Sequence, residues 1–127
     1  MTAVQKLKWI ILLRAGLIAE DVLPTGADID RIYSDHDGAC ALCDARSEVR
    51  DTGENTGLPD REFSRHYECE EVAARCPDGS WVGWTYWHGG GKHGCPEEMP
   101  WVENAYAVCV TEEQKLVTVR SFSIGDK

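Results

Sequence analysis

The stretch that decides the fold runs from Tyr67 to His88 and reads YECEEVAARC, PDGS, WVGWTYWH. Its middle, Pro77–Ser80, is a strong turn signal, because proline presets φ at a turn corner and glycine accepts a left-handed backbone. The segment 81–88 is aromatic and strand-like, and 67–76 also has the composition of a strand. Together the two segments predict an antiparallel β-hairpin.

Ahead of the hairpin, the sequence predicts two helices. Apolar residues of the first segment recur at helical spacing: Val4, Leu7, Ile11 and Ile18. They predict a helix over 4–15 with Gly16 at its C-terminal end. A buried strand through 9–13 is the competing interpretation, since short apolar runs are ambiguous. Thr25–Asp28 resembles a capping box and predicts a short helix that ends near Tyr33.

Behind the hairpin, Pro100 suits the first position of a helix, so a short helix is predicted over Trp101–Ala107. A second hairpin is predicted from Val108–Thr111 and Leu116–Phe122, with its turn at 112–115. Helices followed by an antiparallel sheet define an α+β fold, here with one short inserted helix.

A chain of 127 residues with 43% apolar residues can fill one core, so a single domain is expected over 1–127. The chain divides into a helical part (1–33), an acidic part (34–62) and a sheet part (63–127). The acidic part is poor in large apolar side chains, and only Leu42, Val49 and Leu58 are candidates for burial. No helix or strand is predicted there. Such a segment is expected to be functional, to be disordered, or to be held in place by something other than an apolar core.

Charge is the clearest functional signal. The formal net charge is −9, and residues 20–62 contain twelve acidic residues against four arginines. A phosphate backbone repels such a segment, which disfavours direct nucleic-acid binding. Two interpretations stay open: the acidic surface confers solubility alone, or it docks on a basic groove of a partner protein, including a groove built for nucleic acid.

The apolar run Trp9–Leu13 is too short for a membrane helix or a signal-peptide core. No membrane association is therefore expected, and the predicted location is the cytoplasm of the cell that makes or hosts this protein. In that reducing compartment the six cysteines are expected to be free thiols, metal ligands or a redox pair rather than disulfides.

The motif Cys40-Ala-Leu-Cys43 has a clear physical mechanism, because two cysteines three residues apart can converge on one tetrahedral zinc ion. The remaining ligands are predicted to be His36, four residues earlier, or the pair His66 and Cys69. Further candidates lie near the C-terminus: His93, Cys95 and Cys109. Coordination of a zinc ion would hold the polar middle segment, 34–62, in an ordered conformation. Alternatively, the two cysteines are ordinary thiols in a mobile loop, or a redox pair.

Aromatic residues lie on both faces of the predicted strand 81–88. Trp84 and Tyr86 share one face, and Trp81 and Trp87 share the other. One pair is expected to join the core. The other pair is either covered or forms an aromatic binding surface.

The strand runs into a glycine-rich loop. Gly89–Gly91 would let a ligand or partner approach the backbone closely, and Lys92 and His93 could hold an anion. The pattern is not a P-loop. A flexible turn beside a core strand is the plainer interpretation.

No catalytic constellation stands out. Asp35-His36-Asp37 lies in an acidic segment expected to be solvated, and no serine lies in a nucleophile elbow. An enzyme is therefore not expected. The remaining alternative is a small enzyme, either metal-dependent through the same set of cysteines and histidines or thiol-based through Cys40 or Cys43.

The C-terminal half resembles small uncharacterised phage and prophage proteins. The resemblance covers about residues 62–123 and is carried by Arg65–Glu68, Val72-Ala73, Pro77–Trp87 and Gly89–His93. It implies a mobile-element accessory protein, and such proteins often bind a host protein, including host-defence machinery. It implies no activity for individual residues.

The leading hypothesis is a non-enzymatic protein-binding module that docks on another protein, such as a nucleic-acid-binding host protein, as an accessory factor or inhibitor. A zinc-stapled structural module is the alternative. The predicted partner-binding residues come from the acidic segment and the aromatic and glycine-rich rim: Asp35, Asp37, Asp44, Asp51, Trp87, His88, Lys92 and His93.

Overall fold

The computed structural model describes residues 1–112, 120 and 122. In this part of the chain, three α-helices precede a four-stranded antiparallel sheet, which confirms the predicted α+β fold. The helices are α1 (Ala3–Arg14), α2 (Gly26–Asp35) and α3 (Cys40–Arg50), and the strands are β1 (Glu54–Asn55), β2 (Glu68–Arg75), β3 (Trp81–His88) and β4 (Tyr106–Val108).

Both predicted N-terminal helices are confirmed, and each begins at a capping box. Thr2 Oγ1 accepts a hydrogen bond of 3.2 Å from the Gln5 backbone, and the Gln5 side chain accepts one of 2.8 Å in return. Thr25 and Asp28 form the same reciprocal pair at α2, with both bonds at 3.1 Å. These bonds satisfy backbone N–H groups that a helix start leaves without partners. The competing strand interpretation of the first segment was wrong.

The acidic part of the chain differs from the prediction, because 40–50 form helix α3. Leu42, Ala45 and Val49 are buried at 0%, 3% and 3% exposure. Their spacing of three and four residues places them on one helical face, which packs against α1. The prediction overlooked this face because Ala45 is small. Leu58, the third candidate for burial, is 47% exposed.

The predicted hairpin is confirmed. β2 pairs with β3 along the full length of both strands, from Glu68 opposite His88 to Arg75 opposite Trp81. Gly79 makes the turn with a φ of 89°, a conformation that side chains disfavour. β1 and β4 flank the hairpin, so the strand order follows the chain order.

The two faces of the sheet are covered by different elements. The helix face carries Trp84 and joins the apolar core. The core draws buried residues from this face and from all three helices: Leu7, Trp9, Ile11, Leu12, Ile29, Leu42, Ala45, Val49, Val72, Val82 and Trp84. The loop face carries Glu71, Thr85 and Trp87, which are 2%, 3% and 2% exposed. The segment between β1 and β2 covers it, since the Arg61 backbone donates to the Glu71 carboxylate over 3.3 Å.

The segment after β3 also differs from the prediction. Trp101–Ala107 does not form the expected helix: a 3₁₀ turn at Pro96–Glu98 precedes this range, and strand β4 takes in its last two residues. Trp101 enters the core at 4% exposure, with its ring centroid 5.6 Å from that of Trp84. β4 then pairs with β3, and a helix through the same residues would leave that edge of the sheet unpaired.

The second predicted hairpin lies largely outside the described residues. Of its first strand, 108–111, only Val108 belongs to a strand of the structure. The turn at 112–115 and the strand over 116–122 fall mainly on residues the structure does not describe. Within the described part, none of the helices has the length and apolar content needed to cross a membrane.

Candidate functional site

A groove of about 750 Å³ lies between the helices and the segment 96–103. Five acidic side chains line it: Asp30, Asp37, Glu97, Glu98 and Glu103. Lys8 and Arg46 are its only basic lining residues among those described. We call it the acidic groove.

Both basic residues of the acidic groove are already engaged with Tyr33. The Lys8 Nζ lies 5.0 Å and the Arg46 Cζ 5.4 Å from the centroid of the Tyr33 ring, within the range of cation–π interactions. Arg46 Nε also donates to the Tyr33 hydroxyl over 2.9 Å, and Lys8 lies 3.5 Å from the Asp30 carboxylate. Burial raises the pKa of the Tyr33 phenol, which therefore remains a neutral surface on which cations stack.

The other four carboxylates of the groove have no basic partner among the described residues. In the described part of the chain, no lysine, arginine or histidine forms an ion pair with Asp37, Glu97, Glu98 or Glu103. None of the three glutamates is singled out in the sequence analysis, and Glu103 falls within the helix predicted over Trp101–Ala107. The fold brings them beside Asp37 because Trp101 anchors their segment in the core.

The four predicted partner-binding aspartates are all exposed, but they do not form one cluster. Asp35 is the last residue of α2, and Asp44 lies on α3. Asp51 pairs with Arg50 over 3.1 Å. Of the four, Asp37 alone lines the acidic groove.

The predicted aromatic rim requires a correction at Trp87. Its side chain is 2% exposed, because the loop face of the sheet is covered, and it offers no aromatic surface to a partner. His88 is partly exposed and lies 3.5 Å from Glu68 and 3.6 Å from Glu70. Lys92 and His93 are exposed in the glycine-rich loop.

The glycine-rich loop closes over Tyr67. A Cβ on Gly90 would lie 2.4 Å from the Tyr67 ring, and Gly90 has a φ of 84°. The Tyr67 hydroxyl accepts a hydrogen bond of 3.1 Å from the Cys95 backbone. Glycine is therefore required here by the packing of the loop on its own chain.

The structure does not gather the predicted metal ligands. Cys40 and Cys43 are exposed on the first turn of α3. His36 caps the C-terminal end of α2, with its Nδ1 2.9 Å from the Ile32 carbonyl oxygen. Among the described residues, no three of the predicted ligands lie close enough to share an ion, and His66 joins no such group.

Cys69 belongs instead to a different group, with Asp60 and Glu71. One ligand atom from each of these residues lies within 4.8 Å of the other two, the single such group in the described part of the chain. Burial, and then the negative charge of Asp60, raises the pKa of the Cys69 thiol. Sequence reasoning missed Asp60 and Glu71 because acidic residues are frequent here and only the folded loop brings Asp60 to the strand.

Comparison with known proteins gives no relative from which a role could be transferred: no family model matches the chain, and no curated protein or solved structure is significantly similar to it.

Proposed function

We propose that this chain is a non-enzymatic protein-binding module that docks on a basic surface of a partner protein through the acidic groove. The observation that carries the proposal is the set of four groove carboxylates to which no described residue offers a basic partner. They line a concavity whose tyrosine already stacks with two cations. An arginine or lysine of a partner can occupy the same concavity and supply the missing counter-charges.

The physical argument rests on charge complementarity. An exposed ion pair contributes about 0.2–1 kcal/mol, so several pairs made together give a useful increment of affinity. Charges across an interface also steer encounter and exclude partners of the wrong sign. Both effects weaken as salt screens the charges, with a Debye length of about 10 Å at 0.1 M.

The partner class follows from the same chemistry. A protein groove that normally holds nucleic acid is basic, so an acidic module competes there with the phosphate backbone. An inhibitor of a nucleic-acid-binding host protein, the role suggested by the resemblance to phage accessory proteins, would act in this way. The exposed Asp35, Asp44 and Asp51 extend the negative surface beyond the groove.

A fluorescently labelled octa-arginine peptide tests the groove directly. Its affinity is measured by anisotropy between about 50 and about 300 mM NaCl, over which screening increases strongly. The triple variant Glu97→Gln/Glu98→Gln/Glu103→Gln should weaken binding about tenfold or more, since it removes three groove charges.

The matched control removes three exposed charges outside the groove, as Glu20→Gln/Asp21→Asn/Glu54→Gln. It should change the affinity by less than about twofold, because only long-range charge is lost. Equal weakening by the two triple variants would show that binding follows net charge alone, and the groove proposal would then be wrong.

A further inference from the structure

We propose that Asp60, Cys69 and Glu71 form a divalent-metal site, with zinc as the ion that their ligand chemistry favours. The site is separate from the acidic groove, because it lies on the loop face of the sheet. A thiolate with two carboxylates suits zinc, whereas magnesium and calcium prefer oxygen ligands alone.

The geometry is close to what a tetrahedral ion needs. The three ligand atoms lie within 4.8 Å of one another. Around zinc, bonds of about 2.0–2.3 Å place ligand atoms about 3.4–3.8 Å apart. Side-chain movement of about 1 Å therefore closes the site, and Asp60, which is exposed, has the freedom to make it.

Glu71 is the second observation that points to a cation. Its side chain is 2% exposed, and it forms no ion pair with a lysine, arginine or histidine among the described residues. A buried carboxylate without a counter-charge is costly, and buried charges in proteins are generally paired or coordinated to metals. A metal ion at this position supplies the missing positive charge.

Neighbouring hydroxyl groups hold Glu71 in position for an ion. Thr85 Oγ1 lies 3.0 Å from each of the two Glu71 carboxylate oxygens. The Tyr106 hydroxyl donates a hydrogen bond of 2.7 Å to one of them. Hydrogen bonds of this kind orient the carboxylates that bind metals. Cys69 and Glu71 are two residues apart on β2, so both point to the loop face.

The ion would attach the segment between β1 and β2 to the sheet. Thr56 already donates two hydrogen bonds to the Glu71 carbonyl, at 3.0 Å from its backbone and 2.9 Å from its hydroxyl. A metal bond from Asp60 adds a further attachment to these bonds and to the hydrogen bond from the Arg61 backbone to the Glu71 carboxylate. Three protein ligands leave a fourth tetrahedral position for water.

Cobalt is the probe, because a thiolate bound to Co²⁺ gives a near-ultraviolet charge-transfer band and a tetrahedral site gives intense visible bands. The full chain, stripped with a chelator and kept reduced, is titrated with Co²⁺ and then with Zn²⁺. Both spectral features should appear with one cobalt per chain and disappear as zinc displaces it.

Two ligand variants and one control decide where the ion binds. Cys69→Ser should abolish the charge-transfer band, and Asp60→Asn, at an exposed position that does not endanger folding, should weaken cobalt binding at least tenfold. Cys40→Ser/Cys43→Ser is the control and should keep the wild-type spectrum. The proposal is overturned if no thiolate band appears, if the band survives Cys69→Ser, or if Asp60→Asn leaves the affinity unchanged.

Discussion

Tyr106 on β4 donates a hydrogen bond of 2.7 Å to the carboxylate of Glu71 on β2, across the intervening strand β3. The bond is feasible because the residue opposite Tyr106 on β3 is Gly83. A Cβ at Gly83 would lie 2.8 Å from the Tyr106 ring. Burial, and then the hydrogen bond to Glu71, raises the pKa of the Tyr106 phenol, so it remains a hydrogen-bond donor over the whole physiological range.

Replacing Tyr106 by phenylalanine should lower the free energy of unfolding by about 1–3 kcal/mol, because a buried carboxylate loses a donor. The control is Tyr86→Phe, since the Tyr86 hydroxyl forms no hydrogen bond with a described residue; it should change stability by less than about 0.5 kcal/mol. Urea unfolding measures both. Equal effects would mean that the bond to Glu71 contributes nothing.

Gly83→Ala should destabilise the protein by about 1–3 kcal/mol, because the new methyl group overlaps the Tyr106 ring and the Val108 side chain. In a Tyr106→Ala background the same change should cost less, which gives a coupling energy of about 0.5–3 kcal/mol in a double-mutant cycle. Strictly additive effects would contradict the close packing of β4 over Gly83.

Leu42→Ala should lower the free energy of unfolding by about 2–5 kcal/mol, since the Leu42 side chain, on the inner face of α3, is fully buried in the core. Leu58→Ala makes the same chemical change at a residue that is 47% exposed, and should cost less than about 1 kcal/mol. The comparison by chemical denaturation tests whether α3 packs on the core. Similar small losses at both positions would argue against its docking.

Arg50 connects α3 to β3 from a nearly buried position. Its Nη2 donates to the Trp87 carbonyl, and its guanidinium lies 4.6 Å from the Tyr86 ring centroid. Arg50→Met keeps most of the apolar stem and should cost about 1.5–3 kcal/mol in unfolding free energy. Arg14→Met breaks only an exposed ion pair with Glu48 and should cost about 0–1 kcal/mol. The opposite ranking would contradict the structural role of Arg50.

Asp78 should contribute to the decrease in the free energy of unfolding at acid pH. Hydrogen bonds from the Ser80 side chain and backbone hold the pKa of Asp78 below the usual value of 3.8. A lowered folded-state pKa stabilises the fold above the unfolded-state value, and this stabilisation disappears as pH falls through the folded-state pKa.

Asp78→Asn removes the ionisable group and keeps an acceptor for Ser80. Between about pH 5 and pH 2, its stability should fall less steeply than that of the wild type. Asp44→Asn is the control, because the Asp44 carboxylate forms no hydrogen bond or ion pair with a described residue, and it should retain the wild-type slope. Urea midpoints across this pH range measure all three proteins. A wild-type slope in Asp78→Asn would contradict the assignment.

The parts of the fold that local signals encode were predictable. The Thr25 and Asp28 capping pair, the helix near the N-terminus and the turn at Pro77–Ser80 each depend on residues a few positions apart. Helix α3 was missed because its buried face includes a small residue, Ala45, among many charges. Its helical state depends on packing against α1, which no local pattern contains.

The candidate sites were less predictable, because their residues come from distant parts of the chain. Asp37 was expected at a partner surface, and the structure places it beside Glu97 and Glu98, some 60 residues later. Cys69 was expected to join His66, yet its neighbours in space are Asp60 and Glu71.

The sequence by itself determined the two N-terminal helices, the β-hairpin around Pro77–Ser80 and the acidic character of the surface, since helix caps, turn chemistry and charge act over short distances. Only the tertiary structure decided which aromatic residues are covered and which carboxylates meet. Trp87 is buried on the loop face of the sheet, the face on which the segment between β1 and β2 contacts Glu71. Glu71 lies buried on the same face, where β3 and β4 supply hydrogen-bond donors but no described residue supplies an ion-pair partner. Such contacts arise from long-range packing, in which each residue's environment is set by segments far along the chain.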